Sequence, residues 1–132
     1  MIGIDSNVLV RMMINDDPQQ EESIRSFLAQ RSGDDPAYIS AIVLAESVWV
    51  LRRRLGIPMA AIASVLRRFL ESDDLRFQFG DRLANLLDGP KPPRGDLADH
   101  LIAWCAAEAG CARTVTFDKR AGRLVRGLEL LA

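Results

Sequence analysis

An α/β fold with a mainly parallel sheet is the class that these 132 residues predict. Short apolar stretches at 2–5, 37–40 and 114–117 alternate with segments of helical periodicity. The helical segments open and close on cap and breaker residues. The length suits one domain, residues 1–132, with about two thirds of the unfolded chain's surface buried on folding. No repeat, low-complexity tract or linker interrupts the alternation.

I-G-I-D (2–5) reads as a short buried strand, and 7–13 as a short helix capped by Asn7. D-D-P-Q-Q-E-E (16–22) opens a helix to about Gln30, with Asp17 as cap and Pro18 in the first position. R-S-G-D-D-P (31–36) is a turn and A-Y-I-S (37–40) a second strand, with Ser40 as cap of the next helix. Val43, Leu44, Val48, Leu51 and Leu55 recur at helical spacing over 41–55. Gly56 ends that helix and Pro58 opens another, 58–71. L-R-F-Q-F (75–79) alternates as an edge or half-buried strand does, and 80–88 is helical. D-G-P-K-P-P-R-G (88–95) is a loop. Asp96 starts an apolar helix to about Ala109, closed by Gly110. T-V-T-F (114–117) is a strand, a short basic helix comes after it, and 127–131 is a last strand.

Composition excludes several classes. The chain is 48% hydrophobic and 27% charged, with net charge −1, as in a soluble globular protein without a global basic field. It has no apolar run of the ~18 residues a membrane span needs and no leader-like N-terminus. The expectation is a cytoplasmic protein with no membrane partner. Cys105 and Cys111 form no CxxC pair and read as two core thiols. With His100 the only histidine, a zinc site of several His and Cys ligands is excluded. Arg52–Arg54, Arg67 with Arg68, and Lys119 with Arg120, Arg123 and Arg126 each read as a solvated helix face.

The acids carry the chemistry. Asp5 ends the first strand, and Glu46 lies on the early turns of the helix after the second. Asp96 and Asp99 share a helix face, three residues apart. Asp118 comes directly after T-V-T-F. In a parallel sheet Asp5, Glu46 and Asp118 fall on the carboxyl-terminal edge, where α/β proteins bind ligands; the reach of Asp96 and Asp99 depends on the tilt of their helix. Converging carboxylates raise one another's pKa and call for a cation, and oxygen-only donors suit Mg²⁺ or Mn²⁺. Such a site favours phosphodiester hydrolysis. Each acid also has a plainer reading. Asp96 is an ordinary N-cap after Gly95, Asp99 suits a helix dipole, and Asp118 suits a turn or cap. Glu46 has apolar neighbours that leave few solvent-facing positions, and Asp5, between apolar triplets, is the hardest to read as a solvated charge.

The chain resembles the PIN-domain nucleases, and more narrowly the VapC-type toxins of bacterial toxin–antitoxin pairs, from Ile2 to about Leu131. The resemblance rests on I-D-S-N-V-L-V (4–10), I-S-x-x-V-L-A-E (39–46) followed by V-W-V-L-R-R, G-D-L-A-D-H-L-I-A (95–103) and T-V-T-F-D-K-R-A (114–121), four motifs in order. It implies a three-layer α/β/α sandwich and a Mg²⁺-dependent endoribonuclease, with Mn²⁺ able to substitute. It further implies a homodimer, an RNA substrate and a small VapB-type antitoxin that blocks the site. Asp5, Glu46, Asp99 and Asp118 match the family's acidic positions, and Asp96 an additional acid seen in many members. Asp5 and Asp99, with Asp118, are the metal ligands so implied, and Glu46 completes the shell or orients the attacking water. Ser6 and Thr116 match hydroxyls near the site, Ser6 standing where the family usually has threonine, and Asn7 matches an orienting polar residue. Arg11, Arg94 and Arg120 are candidates to hold flanking phosphates.

Other functions stay open at this point. An RNA-processing nuclease of the same type without an antitoxin fits the same motifs. An aspartyl-phosphate hydrolase would want an aspartate where Asn7 stands. A non-catalytic binding module would use the acids for structure or for a basic partner. Surplus apolar surface such as Trp49 suits a dimer or antitoxin groove.

Overall fold

A computed structural model describes residues 1–132 and divides them into two compact units, Met1–Pro92 and Pro93–Ala132. All strand pairs are parallel, as the α/β class requires. They form one three-stranded and one two-stranded sheet, so the strand edge expected to gather the acids is divided between two sheets. No helix is long and apolar enough to cross a membrane.

The first unit runs β1 (Ile2–Gly3), α1 (Ser6–Met13), α2 (Pro18–Ala29), β2 (Ala37–Ile39), α3 (Ala41–Trp49), a π-helical turn (Val50–Arg54), α4 (Met59–Leu70), β3 (Leu75–Phe77) and α5 (Gly80–Leu86). Sheet order is β1-β2-β3, with Gly3 beside Tyr38 and Ile39 beside Phe77. This register sets Asp5 and Ser40, each two residues or fewer past its strand, at the same sheet edge. Leu9, Ile39, Leu44, Leu51, Ile62, Leu66 and Leu83 form the buried interior. Burying each such side chain contributes about 1.5–3 kcal/mol.

Local chemistry explains the boundaries. Asp17 caps α2 by accepting the Gln19 and Gln20 amides, with Pro18 inside the first turn. Two acceptors cap α3: Ser40 Oγ takes the Val43 amide (3.2 Å) and Gln78 Oε1 the Ala41 amide (2.8 Å). With Gln78 turned to that task and Phe79 left-handed (φ 60°), β3 ends at Phe77, short of the expected 79. Asn7 is not the cap of α1. Asp5 is, because only its carboxylate, one residue before the helix, reaches the Asn7 amide (2.9 Å). Arg67 is not a solvated charge: it donates to the Leu87 carbonyl (2.9 Å), satisfying the end of α5.

The second unit runs α6 (Leu97–Glu108), β4 (Thr114–Thr116), α7 (Lys119–Leu124) and β5 (Leu128–Leu130). Its strands pair in parallel, Thr116 beside Leu130, across the α7 crossover. Ala103, Ala121, Val125 and Leu128 pack as one apolar cluster. The two cysteines are exposed, against expectation. The helix is apolar on most sides, but its buried positions are Leu97, His100, Leu101 and Ala103, a face that leaves Cys105 outside.

Candidate functional site

In the first unit the strand-to-helix turn after β1 carries I-D-S-N. The Asp5 carboxylate spends one oxygen on the Asn7 amide and keeps the other. α1 packs against α3, and the buried Ser47 hydroxyl donates to the Ser6 carbonyl (3.4 Å). That bond ties the start of α1 to the helix bearing Glu46. Asp5, Ser6, Asn7, Arg11 and Glu46 therefore line one open cleft of about 470 Å³, with Trp49, Val50 and Arg54. Both acids are exposed there. Glu46 belongs to a solvent-facing stripe with Ile42 and Trp49, spaced four and three residues apart, so the apolar neighbours do not enclose it. Arg11 lies in the cleft, but Asp16 engages its guanidinium.

In the second unit Asp118 occupies the corresponding turn. Its Oδ1 accepts the Ala121 amide (2.9 Å), capping α7, and its own amide donates to Thr116 Oγ1 (3.0 Å). Thr116 thus positions the turn. Asp96 sits at the N-cap position of α6 without making a capping hydrogen bond, which removes the pure capping account of that residue. Asp99, in the first turn, is half-buried, and burial, then the charges of Asp96 and Asp118, push its carboxyl above the usual range. Arg120 is exposed on α7, and Arg94 is exposed in the preceding loop.

Sequence alone does not show what holds this acidic face. The buried His100 donates from Nε2 to the Arg94 carbonyl (2.7 Å), which fixes its tautomer and ties the loop to the helix of Asp99. Gly95 is left-handed (φ 80°), and a Cβ there would meet Val125 Cγ2 at 2.8 Å, so the chain enters α6 only with glycine. The lone histidine is a structural pin. Ser47 was legible in principle, since it falls on the apolar stripe of Leu44, Val48 and Leu51.

The acids thus occur as Asp5 with Glu46 and as Asp96 with Asp99 and Asp118. Within neither unit do three acid, histidine or cysteine groups converge as a ligand set. The donors are all oxygen, and in the second trio burial, then the neighbouring carboxylates, raise the pKa of Asp99. That chemistry fits a hard divalent cation.

A family model described as PIN domain matches residues 2–127, across both units. The chain belongs to the PIN domain family. PIN domains are in general nucleases that act on nucleic acid with divalent metal ions, which places this chain among metal-dependent hydrolases. The parallel strands and their flanking helices accord with the α/β/α PIN fold. No curated protein and no solved structure matches the chain.

Proposed function

We propose that this PIN domain is a Mg²⁺-dependent endoribonuclease, the toxin of a toxin–antitoxin pair, acting as a homodimer in the cytoplasm and silenced by a VapB-type antitoxin. The observation that carries the catalytic part is Asp99, a half-buried carboxylate held against Asp96 and Asp118 and raised in pKa by burial and by their charges. The ligands proposed are Asp5, Asp99 and Asp118, with Asp96 as an auxiliary acid. A divalent cation bound there supplies positive charge to the phosphoryl oxygens and acidifies water.

The protein's own groups do the rest. Glu46 takes the proton of the attacking water. The water oxygen bonds to phosphorus as the P–O3′ bond breaks, and the 3′ oxygen gains a proton. The products are a 5′-phosphate and a 3′-hydroxyl. Asn7 fixes Asp5 through its amide, and Thr116 fixes Asp118 through its hydroxyl. Ser6 supplies a hydroxyl in the cleft. Arg94 and Arg120 hold flanking phosphates; Arg11 joins them only by leaving Asp16.

The test is cleavage of a defined RNA by the purified chain, with and without Mg²⁺ or Mn²⁺, and chemical analysis of the ends. Metal-dependent 5′-phosphate products are expected. A 2′,3′-cyclic phosphate formed in chelator would end this mechanism. Co-purification with a small polypeptide encoded beside it tests the toxin role; without one, the chain is an RNA-processing nuclease of the same family.

A further inference from the structure

The cleft of the first unit pairs its two acids with two side chains that the proposed reaction leaves unused. Trp49 ends α3 and is 54% exposed, an unusual place for so large a ring. The helix continues as a π-helical turn, with the Leu55 amide donating to the Val50 carbonyl (3.2 Å). In α-helical winding, residue 54 would stand about 140° around the axis from residue 49. The wider π winding, with its i→i+5 bonds, brings the two positions closer around the axis, and such turns frequently mark functional sites. The Arg54 guanidinium lies 5.8 Å from the centroid of the Trp49 ring. Arg54 makes no ion pair, whereas Asp16 engages Arg11, the other cation of the cleft.

We propose that Trp49 and Arg54 form a nucleotide subsite for single-stranded RNA beside Asp5 and Glu46, the indole stacking one base and the guanidinium holding the adjacent phosphate. This rests on the nuclease reading. The cleft, about 470 Å³, falls in the range of small-ligand sites, roughly 300–1,000 Å³. Its carboxylates repel an RNA backbone, and Arg54 is the unpaired cation that offsets them. The planar guanidinium matches phosphate oxygens. An aromatic face grips any base without regard to sequence, and only unpaired bases offer theirs. Apart from Val10 and Val50 the rest of the lining is charged or polar, which favours a nucleotide over an apolar polypeptide face.

Trp104→Phe leaves Trp49 as the only tryptophan of the full chain. Titration with a short single-stranded RNA in EDTA, where metal-dependent cleavage is silent, is expected to quench its fluorescence saturably. Trp49→Leu raises the Kd roughly tenfold to a hundredfold, the usual worth of a base–aromatic stack. Trp49→Phe, which keeps an aromatic face, recovers most of that affinity. Arg54→Gln weakens binding and lowers the salt slope by about one phosphate contact. No quenching together with an unchanged Kd in Trp49→Leu overturns the subsite and leaves the ring to a protein partner. Quenching without cleavage when Mg²⁺ is restored sinks the nuclease reading and spares the subsite. Cleavage with unchanged kcat/KM in Trp49→Leu does the reverse.

Discussion

Asp5 and Asp118 hold the same structural post in two different units. Each comes after a parallel strand, and each caps the next helix with one carboxylate oxygen. Their company differs. Asp5 shares an open cleft with Glu46 and the unpaired guanidinium of Arg54. Asp118 faces the half-buried Asp99, which also feels Asp96. A capping carboxylate is therefore no ligand by position alone. What separates the two turns is burial: both acids of the first cleft are exposed, whereas Asp99 beside Asp118 is half-buried and raised in pKa, by burial first.

The largest effect expected from this difference is on catalysis. Asp99→Asn and Asp118→Asn lower metal-dependent RNA cleavage by about a hundredfold or more, since a lost ligand removes several kcal/mol of transition-state stabilisation. Asp5→Asn does the same if the two turns serve one reaction. Initial rates on one RNA, with circular dichroism to confirm folding, decide it. Full activity of Asp5→Asn would break the parallel and confine the chemistry to the second unit. Full activity of Asp99→Asn as well would remove the mechanism.

Metal binding without turnover separates the turns next. At about 100 times its Kd, Mg²⁺ should raise stability by about 2.7 kcal/mol, a Tm increase on the order of 10 °C for a chain of this size. Asp99→Asn should abolish that increase. A wild-type melting curve indifferent to Mg²⁺ and Mn²⁺ would favour a non-catalytic binding module.

The parts of this picture legible in the sequence are those set by local chemistry. Asp17-Pro18, Ser40 and Gly110 announce helix ends because capping and backbone freedom are decided within a few residues. The family motifs locate the acids for the same reason. The features hidden from the sequence depend on distant partners. Gln78 caps a helix that begins 37 residues before it, and Ser47 fastens Glu46's helix to a carbonyl 41 residues away. Glu46 misleads because adjacency in sequence is not adjacency around the helix axis. The cysteines mislead because the buried face of α6 is decided by packing, on a helix apolar nearly all round. Trp49 and Arg54 meet across a π-helical turn, which no residue between them announces.

A smaller effect tests the capping role the two turns share. Asp5→Ala and Asp118→Ala each leave a helix amide without its acceptor and should cost about 0.5–2 kcal/mol in metal-free urea unfolding. Asn at either position keeps an acceptor and should cost only tenths. Loss from Asp5→Ala alone would mean that the six-residue α7 needs no cap, and the likeness of the turns would be superficial.

The smallest effect isolates the half-buried carboxyl of Asp99. The folded Asp99 carboxyl has a raised pKa, with burial the main cause and Asp96 and Asp118 next. Between its unfolded value, near 3.8, and its folded value the native state holds more protons than the unfolded chain. Stability from this group is then fully present below the unfolded value and is lost as pH rises through the folded one. Without metal, Asp99→Asn should be the more stable protein at neutral pH, by less than about 1 kcal/mol, and should lose that advantage in acid below the unfolded value. Paired unfolding curves across pH measure the difference directly. With saturating Mg²⁺ at neutral pH the order reverses, because the wild-type carboxylate then has a cation to face. A variant no more stable than wild type in chelator would show that ionising the half-buried Asp99 costs the folded state nothing.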